Sequence, residues 1–456
     1  MASTLNCKNL SQPSEGRQNG LPFLFLPINQ INQSNMKKLL TTTAAVIMTL
    51  TVAAQQNELN VDAQLRTRAE YNNGAQNPRA EGEKPATFIN ERARLGVGWE
   101  RNNLKLKVAV QHVGVWGQDD IKDRNGRVAM NEAWGKISFG KNNSHFVQVG
   151  RQQLSYDDER ILGGLDWNVA GNWHDAIRYG WEADQNGLSD KLHVAFAYNQ
   201  NSENVRGTLY NPNKMLYKTM LMVWYHAELK TAPLSFSVMA MNLGRESTEL
   251  EGKTKYMQLL GTDINYKPGS FKLHGAFYYE FGKSAANRKI SAWMASAGVN
   301  YKISDGWNLG VGYDYLSGQG DSDKDQAFDP LFGTHHKFGG FMDYFTGKQK
   351  TGLQDIQVNL AANVSQKFTA QANYHYFLTA QKVADYKKSL GHEIDLQLTW
   401  KVMKDVTLQG GYSFMLGTDT FDAIKTTSDH VPNHKSWQDW AWVSLNINPR
   451  IFSTKW

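Results

Sequence analysis

Alternation between apolar and polar side chains runs through most of this chain and limits the folds it can adopt. In the segment LNVDAQLRTRAEY (residues 59–71), one parity carries Leu, Val, Ala, Thr and Tyr, and the other carries Asn, Asp, Gln, Arg and Glu. The same period of two recurs in FINERARLGVGWE (88–100), NLKLKVAVQH (103–112), SFKLHGAFYYE (270–280) and EIDLQLTW (393–400). Because successive side chains of a β-strand point to opposite faces, each segment predicts a strand with two chemically different faces.

The number and spacing of these segments indicate an all-β protein. We count about 17 to 19 candidate strands, many of them near ten residues long, with proline falling between them rather than inside them. No run after residue 54 approaches the 18 or more apolar residues of a membrane-spanning helix. Two alternatives remain from the pattern itself: a soluble all-β protein, and a transmembrane barrel.

The N-terminal region carries processing signals rather than fold signals. MKKLLTTTAAVIMTLTVAA (36–54) combines two lysines, an apolar stretch and small residues at its end, as a secretory signal peptide does. A membrane anchor is the alternative, but the stretch is short and rich in Thr and Ala. Residues 1–35 are interpreted as an N-terminal extension, disordered or outside the native protein, and residues 55–456 as the mature domain.

Removing residues 1–54 changes the charge and the cysteine count. They contain four Lys or Arg and one Glu, so the formal charge falls from +6 to +3. They also contain Cys7, the sole cysteine, so the mature chain has no disulfide and no zinc-type Cys spacing.

Strand length, strand number and aromatic placement favour the barrel. We therefore predict a closed transmembrane antiparallel β-barrel of about 18 strands (range 16 to 20) in the bacterial outer membrane, with apolar faces toward lipid and charged faces toward the lumen. Aromatic residues that would form the interfacial girdles are Tyr71, Trp99, Trp116, Trp134, Tyr225, Tyr266, Tyr301 and Trp400. In the last strand, Phe452 and Trp456 are both candidates for contact with the barrel-assembly machinery.

One stretch resembles a known family. GRQQLSYDDERILGGLDWNVAGNWHDAIR (150–178) has the order Gly-Arg-Gln, Leu-x-Tyr, Asp-Glu-Arg, Gly, Asp-Trp and Asp-x-x-Arg. This order resembles the alginate-export family of outer-membrane channels, as do the paired strands RTRAEY and NERARLGVGWE. Two positions depart from the family pattern: Asp157 stands where a glycine is expected, and Trp173-His174 where Thr-Phe is expected.

The resemblance implies an 18-stranded monomeric barrel whose electropositive constriction passes an anionic uronate polymer outward. It also implies that a set of charged residues lies in or beside the lumen: Arg151, Asp158, Glu159, Arg160, Asp175 and Arg178.

The residues suggest an anion-passing mechanism of their own. Guanidinium groups stay charged and form paired hydrogen bonds to carboxylates, and weak repeated binding suits transit. The arginines that would line the pore are Arg66, Arg68, Arg92, Arg94, Arg151, Arg160 and Arg178, with Trp167 and Trp173 available to stack on sugar rings. The alternative is that these charges, including Asp158, Glu159 and Asp175, form salt bridges that only brace the wall.

Three function classes follow. The first is a porin-like channel for anionic solutes, with acidic oligo- or polysaccharides as the saccharide partners. The second is a plugged, scaffold or adhesion barrel, for which residues 152–175 or 318–336 could form an inward loop. The third is a barrel-embedded hydrolase, for which Ser155 and His174 are the nearest pair, although no nucleophile motif surrounds Ser155. We expect a non-enzymatic protein with no catalytic residues, cofactor or metal, and no nucleic-acid partner, since basic and acidic residues are interspersed.

Overall fold

A computed structural model describes residues 56–120, 128–185, 187–203, 205–206, 210, 216–250 and 252–456. The predicted extension and signal peptide (residues 1–54) lie outside the described residues. The strands are β1 Asn57–Asn73, β2 Ala86–Arg101, β3 Leu104–Val115, β4 Val128–Phe139, β5 His145–Gln152, β6 His174–Gln185, β7 Leu188–Tyr198, β8 Thr219–Leu229, β9 Leu234–Glu246, β10 Thr254–Tyr266, β11 Phe271–Lys283, β12 Lys289–Lys302, β13 Trp307–Leu316, β14 Leu353–Asn363, β15 Phe368–Leu378, β16 Ser389–Met403, β17 Val406–Gly417, β18 Gln438–Ile447 and β19 Arg450–Lys455.

The sheet closes on itself. From β1 to β18, each strand pairs antiparallel with the next along the chain, and β1 pairs with β2 on one side and with β18 and β19 on the other. β18 and β19 are two halves of one strand interrupted near Pro449, whose carbonyl oxygen still accepts a hydrogen bond from the Ala63 amide at 3.0 Å. The closed 18-stranded antiparallel barrel is thus confirmed.

The two faces of the wall differ as the sequence predicts. On β1, Leu65 points outward and is 41% exposed, whereas Arg68 points inward and is 8% exposed. One girdle prediction is wrong: Trp134 faces the lumen, where its indole donates to Glu132 at 3.0 Å. The reason is an extra residue, Asn131, in β4 opposite the junction of Ala109 and Val110, which shifts the parity of the strand after it.

The two ends of the barrel are built differently. One end carries short turns, such as Asn102–Asn103 between β2 and β3, and the other carries the long connections. Both ends of the described chain meet at the short-turn end, where Asn57 and Trp456 exchange backbone hydrogen bonds of 2.8 and 3.1 Å. The connection between β17 and β18 contains one short helix, α1 (Asp419–Lys425), capped by the Thr418 hydroxyl. Among the described residues no helix is long and apolar enough to cross a membrane.

Two long connections fold into the barrel. We call residues 153–173, between β5 and β6, the first inward loop, and residues 317–352, between β13 and β14, the second inward loop. They meet at a short bridge between Leu162 and Phe332. Two apolar clusters hold them against inward-facing residues of the wall: one includes Leu162, Phe332 and Met220, and the other includes Phe345 and Phe377. The two inward loops therefore include most of residues 152–175 and all of residues 318–336, the segments predicted for this role.

Candidate functional site

Four arginines from β1 and β2 form one cluster on the inner wall, which we call the arginine cluster: Arg66, Arg68, Arg92 and Arg94. The strand period places all four on the lumen face, and the register sets Arg66 directly opposite Arg92. The cluster holds the first inward loop through its backbone. Arg66 donates to the carbonyl oxygens of Asp166 at 2.7 Å, Trp167 at 3.1 Å and Asn168 at 3.0 Å.

Asp166 supplies the carboxylate nearest the centre of this cluster. Its Oδ1 lies 2.9 Å from Arg92 Nη2 and 3.9 Å from Arg94 Nη1, and its Oδ2 lies 3.8 Å from Arg66 Nη1. Arg68 is neutralised separately, by Glu70 at 2.8 Å. Three guanidinium groups therefore share one carboxylate, and the cluster keeps excess positive charge facing the lumen.

A cavity of about 300 Å³ opens beside the cluster. Its lining includes Arg94, Lys107, Glu132, Asp166 and Gln64. Lys107 pairs with Glu132 at 2.5 Å, so these two charges balance each other. A volume of this size lies at the lower end of the range of small-molecule sites, which runs from about 300 to 1,000 Å³.

The opposite side of the first inward loop is clamped to β12 and β13. Arg160 pairs with Asp158 in its own loop at 2.6 Å and with Asp314 on β13 at 2.9 Å, and it donates to the Ser296 hydroxyl at 2.9 Å. Its guanidinium also lies 4.2 Å from the ring centroid of Phe338 in the second inward loop. Burial lowers the pKa of Arg160, but the two carboxylates outweigh burial and raise it above its ordinary value. Asp158 and Arg160 therefore act mainly as a brace.

The acids beside this brace serve the loop itself. Glu159 accepts a hydrogen bond from the Ser155 hydroxyl at 2.6 Å. Burial raises the pKa of Glu159, but the hydrogen bonds from Ser155 and Gly164 hold the pKa below its ordinary value. Asp157 reaches the wall, where it accepts hydrogen bonds from Trp224 at 2.9 Å and Ser237 at 2.5 Å. Burial raises the pKa of Asp157 to about 6, against the effect of those hydrogen bonds.

The two tryptophans predicted to stack on sugars have different surroundings. Trp167 is covered on both faces, with Arg68 at 4.3 Å and the His336 ring at 4.4 Å from its ring centroid. Trp173 has the guanidinium of Arg94 5.5 Å from its ring centroid and donates to the Ala170 carbonyl at 3.2 Å. Trp167 is thus part of the loop packing, and only Trp173 stays beside the cluster without that double cover.

The other two arginines predicted to line the pore, Arg151 and Arg178, lie on opposite faces of the wall. Arg178 faces the lumen, donating to Gln148 at 2.9 Å. Arg151 and Asp175 form an ion pair at 3.1 Å, but they share the outward parity of Val149 and Ile177, which are 49% and 52% exposed. The expectation that this pair lies in or beside the lumen is wrong, because the alternation along β5 and β6 turns both side chains to the outer surface.

One group of side chains has the composition of a metal site. Asp158, Asp263 and His274 place one ligand atom each within 4.8 Å of one another. These atoms already pair within the protein, with Asp263 to His274 at 2.6 Å and Asp158 to Arg160 at 2.6 Å. The arrangement is therefore accounted for as an ion-pair network across the first inward loop, β10 and β11.

The residues considered for a hydrolase do not share a hydrogen bond. Ser155 donates to Glu159, whereas His174 Nδ1 lies 2.8 Å from the hydroxyl of Tyr217. Each side chain is thus accounted for by a different neighbour, and a Ser–His nucleophile system is not assembled at this pair.

Sequence reasoning missed two residues that shape the site. Gln111 lies directly opposite Arg94 in the register, accepts from it at 2.8 Å and donates to the Ala170 carbonyl at 3.0 Å. Cross-strand parity could have identified it. Asp166 could not have been found in this way, because its position depends on the path of a 21-residue loop across the lumen.

Residues 41–420 match the sequence profile of the Gram-negative porin family. The chain belongs to that family. Membership places this porin in the bacterial outer membrane, as predicted, and makes it an outer-membrane channel. No curated protein sequence matches the chain.

Solved structures of Pseudomonas aeruginosa channels share the porin's fold. OccK5 (OpdH) has a TM-score of 0.54 at 11% identity, covering 86% of this chain and 99% of that one. OpdK with vanillate has a TM-score of 0.57 at 10% identity, covering 87% and 99%. OccK2 (OpdF) in complex with glucuronate has a TM-score of 0.58 at 10% identity, covering 86% and 98%. At these identities the similarity establishes the fold alone.

Proposed function

We propose that this porin passes small anionic solutes, carboxylates above all, along the inner wall formed by β1 to β4. The observation that supports this most is the sharing of one carboxylate, that of Asp166, by the guanidinium groups of Arg66, Arg92 and Arg94. Excess positive charge in a narrow, low-dielectric lumen lowers the barrier for an entering anion.

The contacts that the inward loops make with the other parts of the wall support a route along β1 to β4. Against β7 to β12 the inward loops cover apolar wall side chains such as Met220 and Met222, beside the ion-pair network of Asp158 and Arg160. Against β15 to β18 they cover Phe377 and Trp440. Against β1 to β3, by contrast, the first inward loop presents backbone carbonyls and Asp166 to charged and polar side chains. A hydrated solute is better accommodated at such a wall, because burying polar groups without partners is costly.

Uronates are the first anions to test. The resemblance of residues 150–178 to the alginate-export family suggests them, and two channels of the same fold were solved with the carboxylates vanillate and glucuronate. The ion pairs and aromatic contacts that tie both inward loops to the walls favour monomers or short oligomers over a threaded polymer. The porin acts in this proposal as a channel and not as an enzyme, and we expect it to work as a monomer.

The decisive experiment is the reversal potential in planar bilayers under a KCl gradient. The wild-type porin should prefer chloride, and Arg94→Gln should reduce that preference because it removes a lumen charge. Arg151→Gln is the matched control: it removes the same charge from the outer face and should leave selectivity unchanged. Cation preference in the wild type would overturn the proposal. Equal effects of the two substitutions would remove the arginine cluster from it.

A further inference from the structure

The side chain of Asp166 occupies a carboxylate position that the porin itself provides. Its Oδ1 is 2.9 Å from Arg92 Nη2, the distance of a close ion pair. The side chain nevertheless remains 65% exposed, whereas that of Arg92 is fully buried. A carboxylate can therefore approach the buried guanidinium from the lumen.

The arginines around Asp166 are not saturated by it. Arg66 and Arg94 approach its carboxylate only to 3.8 and 3.9 Å. Arg92 Nε and Nη2 are both buried with no hydrogen-bond partner, so the 2.9 Å contact of Nη2 with Asp166 is an ion pair without hydrogen-bond geometry. Guanidinium groups bind carboxylates best through two parallel hydrogen bonds, and the short aspartate side chain makes no such pair here. A free carboxylate that is not tied to the loop can align with a guanidinium group and form both parallel hydrogen bonds.

The loop does not depend on the Asp166 carboxylate to stay in place. Arg66 holds the backbone carbonyls of residues 166–168, and Arg68 donates to the Trp167 carbonyl at 3.1 Å. The ring of Trp167 packs against His336. Because these contacts involve the backbone and a neighbouring ring, the Asp166 side chain can rotate away while the loop remains docked.

A solute has room to reach this position. The cavity of about 300 Å³ is lined by Asp166 and Arg94 together, so it opens directly onto the carboxylate and one of its arginines. Lys107 lines the same cavity and adds a second cation, although it is paired with Glu132.

We propose that Asp166 is a tethered competitor for a carboxylate-binding site formed by Arg66, Arg92 and Arg94, and that a carboxylate solute binds by displacing it. This inference rests on the proposed anion channel and adds a specific device to it. The tether weakens solute binding, because the apparent affinity is reduced by the fraction of molecules in which the site is free. Weak binding suits a channel, in which a tight site would trap the solute.

The test is current blockade of single channels by glucuronate, with glucose as the neutral comparison. Asp166→Asn keeps the size of the side chain and removes its charge. If Asp166 occupies the site about nine-tenths of the time, we expect glucuronate to bind about tenfold more tightly to this variant. Asp166→Glu retains a carboxylate and should bind glucuronate close to wild-type strength.

Asp175→Asn is the matched control, because Asp175 flanks the same loop, pairs with an arginine at 3.1 Å and is 59% exposed, but on the outer face. Unchanged or weaker glucuronate binding in Asp166→Asn, with normal binding in the wild type, would overturn the tethered competitor alone. If glucuronate blocks the wild type no better than glucose does, and no variant changes this, both the inference and the proposed anion channel fail. A rise in open-channel noise will show whether Asp166→Asn disturbs the loop. In that case Asp166→Glu decides, and glucuronate binding to this variant that is tenfold or more weaker than to the wild type would refute the inference.

Discussion

Trp167 and His336 stack with their ring centroids 4.4 Å apart and 3° between their planes, and this contact joins the two inward loops. Arg68 covers the other face of Trp167 at 4.3 Å, so the indole also connects the loops to β1. The rings of Trp440 and Trp442 on β18 approach the same indole at 88° and 67°, with centroids 6.0 and 4.7 Å away. One aromatic side chain thus links two loops and two strands that are far apart in sequence.

Replacing Trp167 with Ala should therefore loosen both inward loops. Loss of a packed tryptophan costs about 3 to 5 kcal/mol in protein cores, and we expect the lower end here because Trp167 is only half-buried. The measurements are open-channel current noise and protease cleavage within residues 317–352, both of which should increase. Trp116→Ala serves as the control, since Trp116 is 59% exposed, and it should change neither.

A positive charge added to β2 should destabilise the barrel on the outward face and be tolerated on the lumen face. Leu95→Arg places a guanidinium on the outward face, where Leu95 is 46% exposed, and should destabilise the barrel by about 2 to 4 kcal/mol. Gly98→Arg, on the lumen face, should be tolerated, because no atom lies within 4 Å of the position of its Cβ. Unfolding in urea from lipid vesicles measures both. Equal losses would contradict the assignment of the apolar face to lipid.

Breaking the brace at Arg160 should be far more costly than breaking an exposed ion pair. Arg160→Gln leaves the buried carboxylate of Asp314 without its cation, and removing one partner of a buried pair typically costs about 3 to 5 kcal/mol. The comparison is Arg450→Gln, whose pair with Asp62 has a similar length of 2.9 Å but side chains 55% and 47% exposed. That variant should show little or no loss of stability in the same urea titration, because exposed ion pairs contribute little.

Docking of the first inward loop should weaken as pH rises through the range in which Asp157 loses its proton. Burial raises the pKa of Asp157 from 3.8 to about 6 in the docked loop, so the docked form binds the proton more tightly than the released form. Docking is therefore strongest near pH 4, weakens as the pH rises to about 6 and changes little above that through this group. The current noise of the wild type should rise over this range, and that of Asp157→Asn should show a smaller rise, because the variant cannot titrate.

The closed barrel was predictable because strand periodicity is a local property. The residues of β1 alternate in a membrane wall as they do in the printed sequence, and closure follows because lipid offers no partner for an open strand edge. The same parity count places Arg66, Arg68, Arg92 and Arg94 inside. Applied strictly, it would also have placed Arg151 outside, where the resemblance to a family had suggested the lumen. It fails locally at Trp134, where the extra residue Asn131 shifts the alternation.

Local alternation of side chains thus sets which face of most strands meets lipid and which arginines of β1 and β2 face the lumen, because it depends on neighbours one and two residues away. The contacts of Asp166 with three of those arginines, and of Trp167 with a histidine and an arginine, arise in the tertiary structure. These contacts join residues about 70 to 170 positions apart. They depend on the closed wall and on the path of the loops across its lumen, so no local pattern of side chains specifies them.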